Sequence, residues 1–535
     1  MKRIIIQDST PIPPFGEPAS ELRIMNKQLW LLQRDLLSRY SKGSLEVHSL
    51  DDVPTEFDTE VLVCKDNLFF NSELLDAFIQ QARASGRASQ IAFSLEDKAI
   101  TTHALPLQKS IRRQGDVYVA DMYYYPAGRR EAPQPVVVDT QPFEMGYYNI
   151  PQYMAPQQGE LVFQVPNRVF LSIEHWIHVY VASTPMGVFN WARQVDELMQ
   201  GGRLANIRNW TNNDWNALRP KLKLLLTAFA ERVNPFEDQW RNHFLACREL
   251  VKVGKNCSID PTAVIHGPTV IGDNVYIGPG VVITNSLIGN NVNIMQGAQV
   301  MLSVVSDRCF LPFNSGLFMS SLMDGSMVAQ NTTLQLCIVG RNTFIGACNT
   351  FTDFNLLGQP IRAFYDGEYH TVGMPVLGSG VGHNCKIGSG FYFYPGRMVG
   401  SNTVLILDND INLVNRNINV PELEGKATPV VHSEADGMQD MPPPTVYRWP
   451  YLYNPDTGEM RDPRTGDVIN AAERPRHRTQ YNPDPGTDAA EQDDSAAPDR
   501  ADASSVVFTN GSGTDHAPAA EPLHVSAQGM HQSYK

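Results

Sequence analysis

The chain has 535 residues and a formal net charge of −14, long enough for two or three domains with separate cores. The acidic balance argues against a nucleic-acid partner, which would need a clustered basic face. No apolar run reaches the roughly 20 residues that a membrane-spanning helix requires.

The apolar opening is cut short by Gln7-Asp8, too early for a signal peptide. The seven cysteines (Cys64, Cys247, Cys257, Cys309, Cys337, Cys348 and Cys385) include no C-x-x-C pair, and several fall on apolar-pattern positions. That usage predicts reduced, mostly buried thiols and a cytoplasmic protein, with a catalytic cysteine as the alternative.

Residues 1–180 read as an α/β domain. Residues 3–7 predict a short buried strand, and residues 8–18 a Pro- and Gly-containing loop. Residues 22–40 have helical spacing, with Leu29, Leu32, Leu36 and Leu37 on one side. Residues 61–64 predict a strand that ends in Lys65-Asp66-Asn67. A helix follows over 72–85, with Ser72 as its N-cap and Gly86 as its stop. Further strands are predicted at 91–93 and 117–120, and this alternation predicts a parallel sheet with crossovers.

Residues 181–251 predict a helical linker, with helices at 186–199, 213–233 and 235–251. Trp191, Trp210, Trp215 and Trp240 lie here, to pack or to stack a sugar or base. Glu174-His175-Trp-Ile-His178 alternates like a strand and lacks the H-E-x-x-H order of a zinc site.

From 252 to 420 the period changes to six. Val253, Ile259, Ile265, Ile271, Ile277 and Ile283 are followed by Ile288, Ile294 and Val300 after one dropped residue. Two more runs start at Val339 and Val381, and Gly often follows the aliphatic residue. Such a period fits neither a helix nor a simple strand; it builds a parallel β-helix, with three hexads per triangular coil. The aliphatic residues point inward, and Gly and Asn take the corners. Residues 306–330 and 358–375 interrupt the count and are candidate loops.

The phrases Ile271-Gly-Asp-Asn-Val-Tyr-Ile-Gly-Pro-Gly280 and Val339-Gly-Arg-Asn-Thr-Phe-Ile-Gly-Ala347 resemble the left-handed β-helix (hexapeptide-repeat) transferases. The two-domain order resembles the bifunctional uridyltransferase and acetyltransferase that makes UDP-N-acetylglucosamine, together with nucleotidyltransferase-like relatives. The resemblance implies a nucleotidyltransferase-like first domain, a left-handed parallel β-helix and a homotrimer. It further implies a phosphosugar or nucleotide-sugar substrate, an acyl-CoA donor for one reaction and Mg2+ with a nucleotide for the other. On it, Asp66 falls where a magnesium-binding aspartate sits, and Arg23 is a nucleotide-binding candidate; a solvated strand-to-helix turn is the plain alternative for Asp66. Lys27, Asp121 and Asp139 are further candidates. The family's substrate contacts fall on Asp353, Phe354 and Asn355.

Two departures stand out. The loop in the phosphate-binding position has one Gly and four prolines (Pro11, Pro13, Pro14 and Pro18) and no Lys, and Pro offers no N–H donor. The family's catalytic His is replaced by Gln330, which cannot act as a base. His383, beside Asn384, and His370, near Arg362, remain as candidate bases, with Asn384 and Arg362 as substrate-binding candidates. His266, within a regular hexad, is expected to be structural.

From 421 the chain turns Pro-, Asp-, Ala- and Ser-rich, and the acidic stretch 484–505 predicts disorder. An aromatic segment at 446–453 predicts a strand or clamp on the β-helix, or a peptide for another protein. The leading expectation is a sugar-nucleotide-pathway transferase passing an acyl or nucleotidyl group. The alternatives are a catalytically degenerate trimeric scaffold and a zinc β-helix built on three histidines.

Overall fold

The computed structural model describes residues 1–41, 43–149, 160–190, 250–355, 359–407 and 412–420, with four short strands between 445 and 469. The first domain is built on a mixed sheet in the order Gln134–Val137, Ser89–Ser94, Val117–Tyr125, Val61–Lys65, Lys2–Ile6, Ser44–Val47. The expected parallel sheet is corrected at Val117–Tyr125, which runs antiparallel to both neighbours. Its partner Arg112–Gln114 precedes it by a turn through Gly115 at φ 61°, and so tight a reversal joins only antiparallel strands.

Residues 22–40 split. Only Leu29–Leu37 is α-helical, because Arg23–Ile24 and Lys27–Gln28 pair as a hairpin through Met25 and Asn26 at positive φ. That hairpin presses Arg23 and Asn26 onto the β-helix, and the tertiary contact overrides helical spacing. The helix Ser72–Ser85 forms as expected and stops at Gly86 with φ 64°, but Asn71 caps it, accepting the Leu74 N–H at 3.1 Å. Glu174–His178 is not a strand: His175 caps a helix, Trp176–Ser183, that is buried along its length.

The β-helix has three faces. The first carries Val251–Val253 through Met398–Val399, the second Ser258–Ile259 through Thr403–Leu407, and the third Val264–His266 through Leu413–Val414. Inward residues stack coil on coil, as in Ile271, Ile288, Val305, Leu322, Val339 and Val381, all essentially inaccessible. The expected loop at 306–330 is absent. Those residues are regular coils whose inward positions are Leu311, Leu317, Leu322 and Val328. From Ile271 to Val339 each coil advances by six, six and five residues, so equivalent groups lie 17 apart. The short step is made at a corner where Asn285, Leu302, Met319 and Leu336 take positive φ. Buried hydroxyls bind this corner from coil to coil: Ser286 Oγ accepts the Ser303 N–H at 3.1 Å, and Ser303 Oγ the Ser320 N–H at 3.0 Å.

The second loop is real. The chain leaves the third face after Phe351, and Arg362–Tyr365 and Glu368–Thr371 pair as a hairpin before the coils resume at Gly380. At the far end, Thr445–Trp449 pairs parallel with Thr403–Leu407, and Tyr451–Tyr453, Met460–Arg461 and Val468–Ile469 follow antiparallel. The aromatic segment therefore extends the second face. The stretch 484–505, Trp191, Trp210, Trp215, Trp240 and most of the expected linker lie outside the described residues.

The first domain packs directly on the first face. Ile12, Phe15, Leu22 and Trp176 share one core with Met319, Met323, Ile338 and Met398. At Gly380 the fit is so close that a Cβ would meet the Trp176 indole at 2.9 Å. The Gly380→Ala variant is expected to lose about 1–3 kcal/mol through overpacking, read as a lower urea midpoint; an unchanged midpoint would contradict this packing.

Candidate functional site

The loop in the phosphate-binding position is fastened to the β-helix. Ser401 donates its backbone N–H to Pro14 O at 3.0 Å, and its hydroxyl lies 2.9 Å from that oxygen and 2.8 Å from Phe15 O. Glu17 is buried between Arg341 and His383, with one carboxylate oxygen on the Arg341 guanidinium and the other 3.0 Å from His383 Nε2. His383 Nδ1 accepts the Arg341 backbone N–H at 2.8 Å, so the ring hydrogen belongs on Nε2, donated to Glu17. Phe15 lies 5.1 Å from the imidazole, centroid to centroid. Burial pulls His383 below its ordinary pKa against the opposing pull of Glu17. Burial pushes Glu17 upward, but His383 and Arg341 outweigh it and hold the carboxyl below the usual range. The expected base at His383 is thus an imidazole with both nitrogens engaged.

Asn384 belongs to a corner ladder. Its side chain donates to Asn402 Oδ1 at 3.2 Å, while its own φ is +55°. Asparagine tolerates this left-handed conformation, which accounts for the residue without a ligand.

The strand ends of the first domain gather charge. Asp66 is buried, and its Oδ1 accepts the Asp8 N–H at 2.9 Å. Burial pushes its carboxyl up to about 6. Lys65 pairs with Asp121 at 3.1 Å, and Asp121 also meets Arg112 at 3.4 Å and accepts the Tyr123 hydroxyl at 2.9 Å. Asp139 caps the Gln141 N–H at 2.8 Å, and Lys27 is paired with Asp35. Arg23 binds Asp324 of the β-helix at 2.7 Å. The guanidinium expected to bind a nucleotide is thus engaged in a contact between the first domain and the β-helix. The Mg2+ implied by the resemblance does not fit. A hard cation wants ionised oxygens, Asp66 is partly protonated near neutrality, and no three His, Cys, Asp or Glu converge among the described residues. The same observation counts against a zinc site on His266, His370 and His383.

The ejected loop holds the remaining candidates. Asp353 is half-buried, with its carboxyl pushed upward by burial, and Asn355 lies two residues on. On the hairpin, Arg362 and Tyr369 share one face, while Tyr365 and the exposed His370 share the other. Arg362 and His370 are therefore not brought together. The His370 face turns to the first domain: Tyr365 donates to Glu174 at 3.3 Å, and Phe364 O lies 3.1 Å from His175 Nε2. Burial pulls His175 down to about 3, so it acts as a neutral fastener. An acyl-CoA would need cations free of carboxylates for its phosphates. Arg362 and Arg397 meet that condition among the described residues. Four described cysteines are buried, and burial pushes the Cys64, Cys309 and Cys337 thiols up to about 12, against a catalytic thiolate at these positions.

Glu17, Arg341 and Arg397 carry no local signal; Glu17 and Arg341 are 324 positions apart. The period of six could have shown that positions 341 and 383 share one corner on successive coils, as their N–H···Nδ1 bond confirms.

Three parallel faces with hexad stacking define a β-helix of the left-handed, hexapeptide-repeat type, and through this domain the chain resembles the hexapeptide-repeat transferases. The family model described as bacterial transferase hexapeptide (six repeats) matches residues 251–285. The "Bifunctional protein GlmU" of Ruthia magnifica subsp. Calyptogena magnifica is 30% identical over 128 residues, covering 23% of this chain and 28% of that protein. The protein of the same name from Heliobacterium modesticaldum is 28% identical over 142 residues, covering 25% and 31%. The chain thus spans less than a third of the length of these relatives. A solved structure of the polysialic acid O-acetyltransferase OatWY matches at 15% identity and a TM-score of 0.13, over 32% of this chain and 82% of that one.

The raised Asp66 carboxyl predicts a pH dependence. Its folded pKa of about 6 lies above the ordinary aspartate value of 3.8, so the folded state binds the extra proton between these values. Stability should be greatest below the lower value and fall as pH rises through 6, by at most about 3 kcal/mol. Asp66→Asn should flatten that slope in melting curves from pH 4 to 7; an identical slope would contradict the assignment.

Proposed function

We propose that this chain is a transferase-like protein of a cytoplasmic sugar-nucleotide pathway, acting on a phosphosugar or nucleotide sugar. Its reacting groups are on the loop 352–379, not in the first domain. The observation that carries this reading is the contrast between two imidazoles: His383 is buried with both nitrogens engaged, and His370 is exposed on the ejected hairpin. Nucleotidyl transfer is disfavoured, because the loop that would cradle a triphosphate is proline-rich and fastened to Ser401, Arg341 and His383.

Acyl transfer then remains, to an amine or hydroxyl of the acceptor. An acyl-CoA would supply the activated thioester. His370 would take the acceptor's proton and pass it to the coenzyme A thiolate that leaves, and Asp353 and Asn355 would hold the sugar. His383 positions the Pro14–Glu17 segment and takes no part in proton transfer. No helix among the described residues is long and apolar enough to cross a membrane. The first face is covered by the chain's own first domain, so a trimer would use the second and third faces. Exposed Tyr276 and Phe344 on the second and Met301 and Tyr392 on the third supply apolar contact.

The scaffold reading is favoured by one observation, the exposed Gln330 where the family keeps its base. The two readings part in an assay with acetyl-CoA and glucosamine 1-phosphate. Transfer should be measurable and fall about 100-fold or more in His370→Ala, while no turnover with any phosphosugar would favour the scaffold. Light scattering should give three times the chain mass, reduced to one by Tyr276→Lys with Phe344→Lys; a wild-type monomer would refute the trimer.

A further inference from the structure

On the face of the hairpin opposite His370, two arginines meet without a counter-charge. Arg397 leaves the β-helix just before the last strand of the first face. Its guanidinium carbon lies 5.1 Å from the Tyr369 ring and 5.7 Å from the Tyr394 ring. Its Nε donates to Asn415 O at 2.9 Å and its Nη1 to Arg362 O at 3.1 Å. Arg362, exposed on the hairpin, donates Nε to Tyr369 O at 3.1 Å, and its Nη2 binds the same oxygen.

Gly396 makes the approach possible, since a Cβ there would meet Arg362 O at 2.7 Å. Both guanidiniums are therefore held only by carbonyl oxygens and rings, and neither has a carboxylate partner among the described residues. The acidic groups of the hairpin are turned elsewhere: Asp366 pairs with Lys109 at 2.7 Å, and Glu368 shares the opposite face with Tyr365. Arg397 reaches the backbone of Arg362, and two unneutralised cations on one face of the hairpin, with N–H groups to spare, favour an anion beside them. A guanidinium fork matches the oxygens of a phosphate, and stacking on two tyrosines fixes the Arg397 fork in advance.

We propose that Arg362 and Arg397, framed by Tyr369 and Tyr394, form a binding site for the diphosphate group of a phosphorylated ligand. The same chemistry is carried by a nucleotide sugar and by coenzyme A. It deepens the reading of the loop as a substrate site without depending on transfer. Diphosphate binding with no turnover would retire the transferase reading and leave this site in place.

The test is calorimetric titration of the full-length protein at low salt with inorganic pyrophosphate, UDP-N-acetylglucosamine and coenzyme A. Pyrophosphate should bind saturably, and Arg362→Gln and Arg397→Gln should each weaken it tenfold or more. Tighter binding of UDP-N-acetylglucosamine than of pyrophosphate would support the site with a nucleotide sugar as occupant; tighter binding of coenzyme A would support it with the donor. Should Arg397→Gln fail to fold, Arg362→Gln carries the test, because its side chain is exposed and bonds only Tyr369 O. Absence of saturable pyrophosphate binding by the wild type would overturn the proposal. So would wild-type affinity in Arg362→Gln.

Discussion

A buried carboxylate between an arginine and an imidazole joins the two halves of this molecule. Glu17 comes from the first domain, Arg341 and His383 from successive coils of the β-helix. A buried charge is tolerated only when paired and hydrogen-bonded, so each of the three fixes the other two. Removing one partner of such a group typically costs about 3–5 kcal/mol, because the remaining charge is stranded. Around it, the Ser401 bonds to Pro14 and Phe15 and the Arg23–Asp324 pair repeat the arrangement at neighbouring coils.

The functional consequence is a redistribution of roles. In a sheet of this kind the loop after the first strand lies where a ligand's phosphates would sit. Here that loop carries Phe15 and Glu17 into a contact with the β-helix, and the nearby carboxylates are spent on Lys65, Arg112 and backbone N–H groups. Polar chemistry that is still exposed lies farther along the chain, on the hairpin with His370 on one face and Arg362 on the other. The first domain then serves as a clamp that also braces this hairpin, through His175, Glu174 and Lys109.

The β-helix was legible because its inward residues repeat at a fixed spacing with Gly and Asn at the corners, a pattern no other fold sustains for so long. The coils at 306–330 escaped the reading because the five-residue step resets the count every turn. Ser303 and Ser320 at the short corner look like loop residues until their ladder of hydroxyl bonds is seen. The strand-helix order of the first domain was also readable. Its antiparallel strand and the hairpin at Met25 and Asn26 were not, since the one depends on long-range pairing and the other on its contact with the β-helix. The candidate site was half legible. Sequence singles out His383 as a candidate base and Arg362 as a substrate-binding candidate, but it shows neither the burial that engages the one nor the Arg397 beside the other.

Residues 12–17 are part of the β-helix contact and do not open independently of it. Hydrogen exchange on the full-length protein reads this through the Ser401 amide, which donates to Pro14 O, and the Gly16 amide, which donates to Ile12 O. Both should exchange as slowly as amides in the adjacent coils, such as Gly382, with a common free energy of opening. Fast exchange at Gly16 and Ser401, with Gly382 still protected, would show a loop free to swing away and would return the first domain to contention as the site of chemistry.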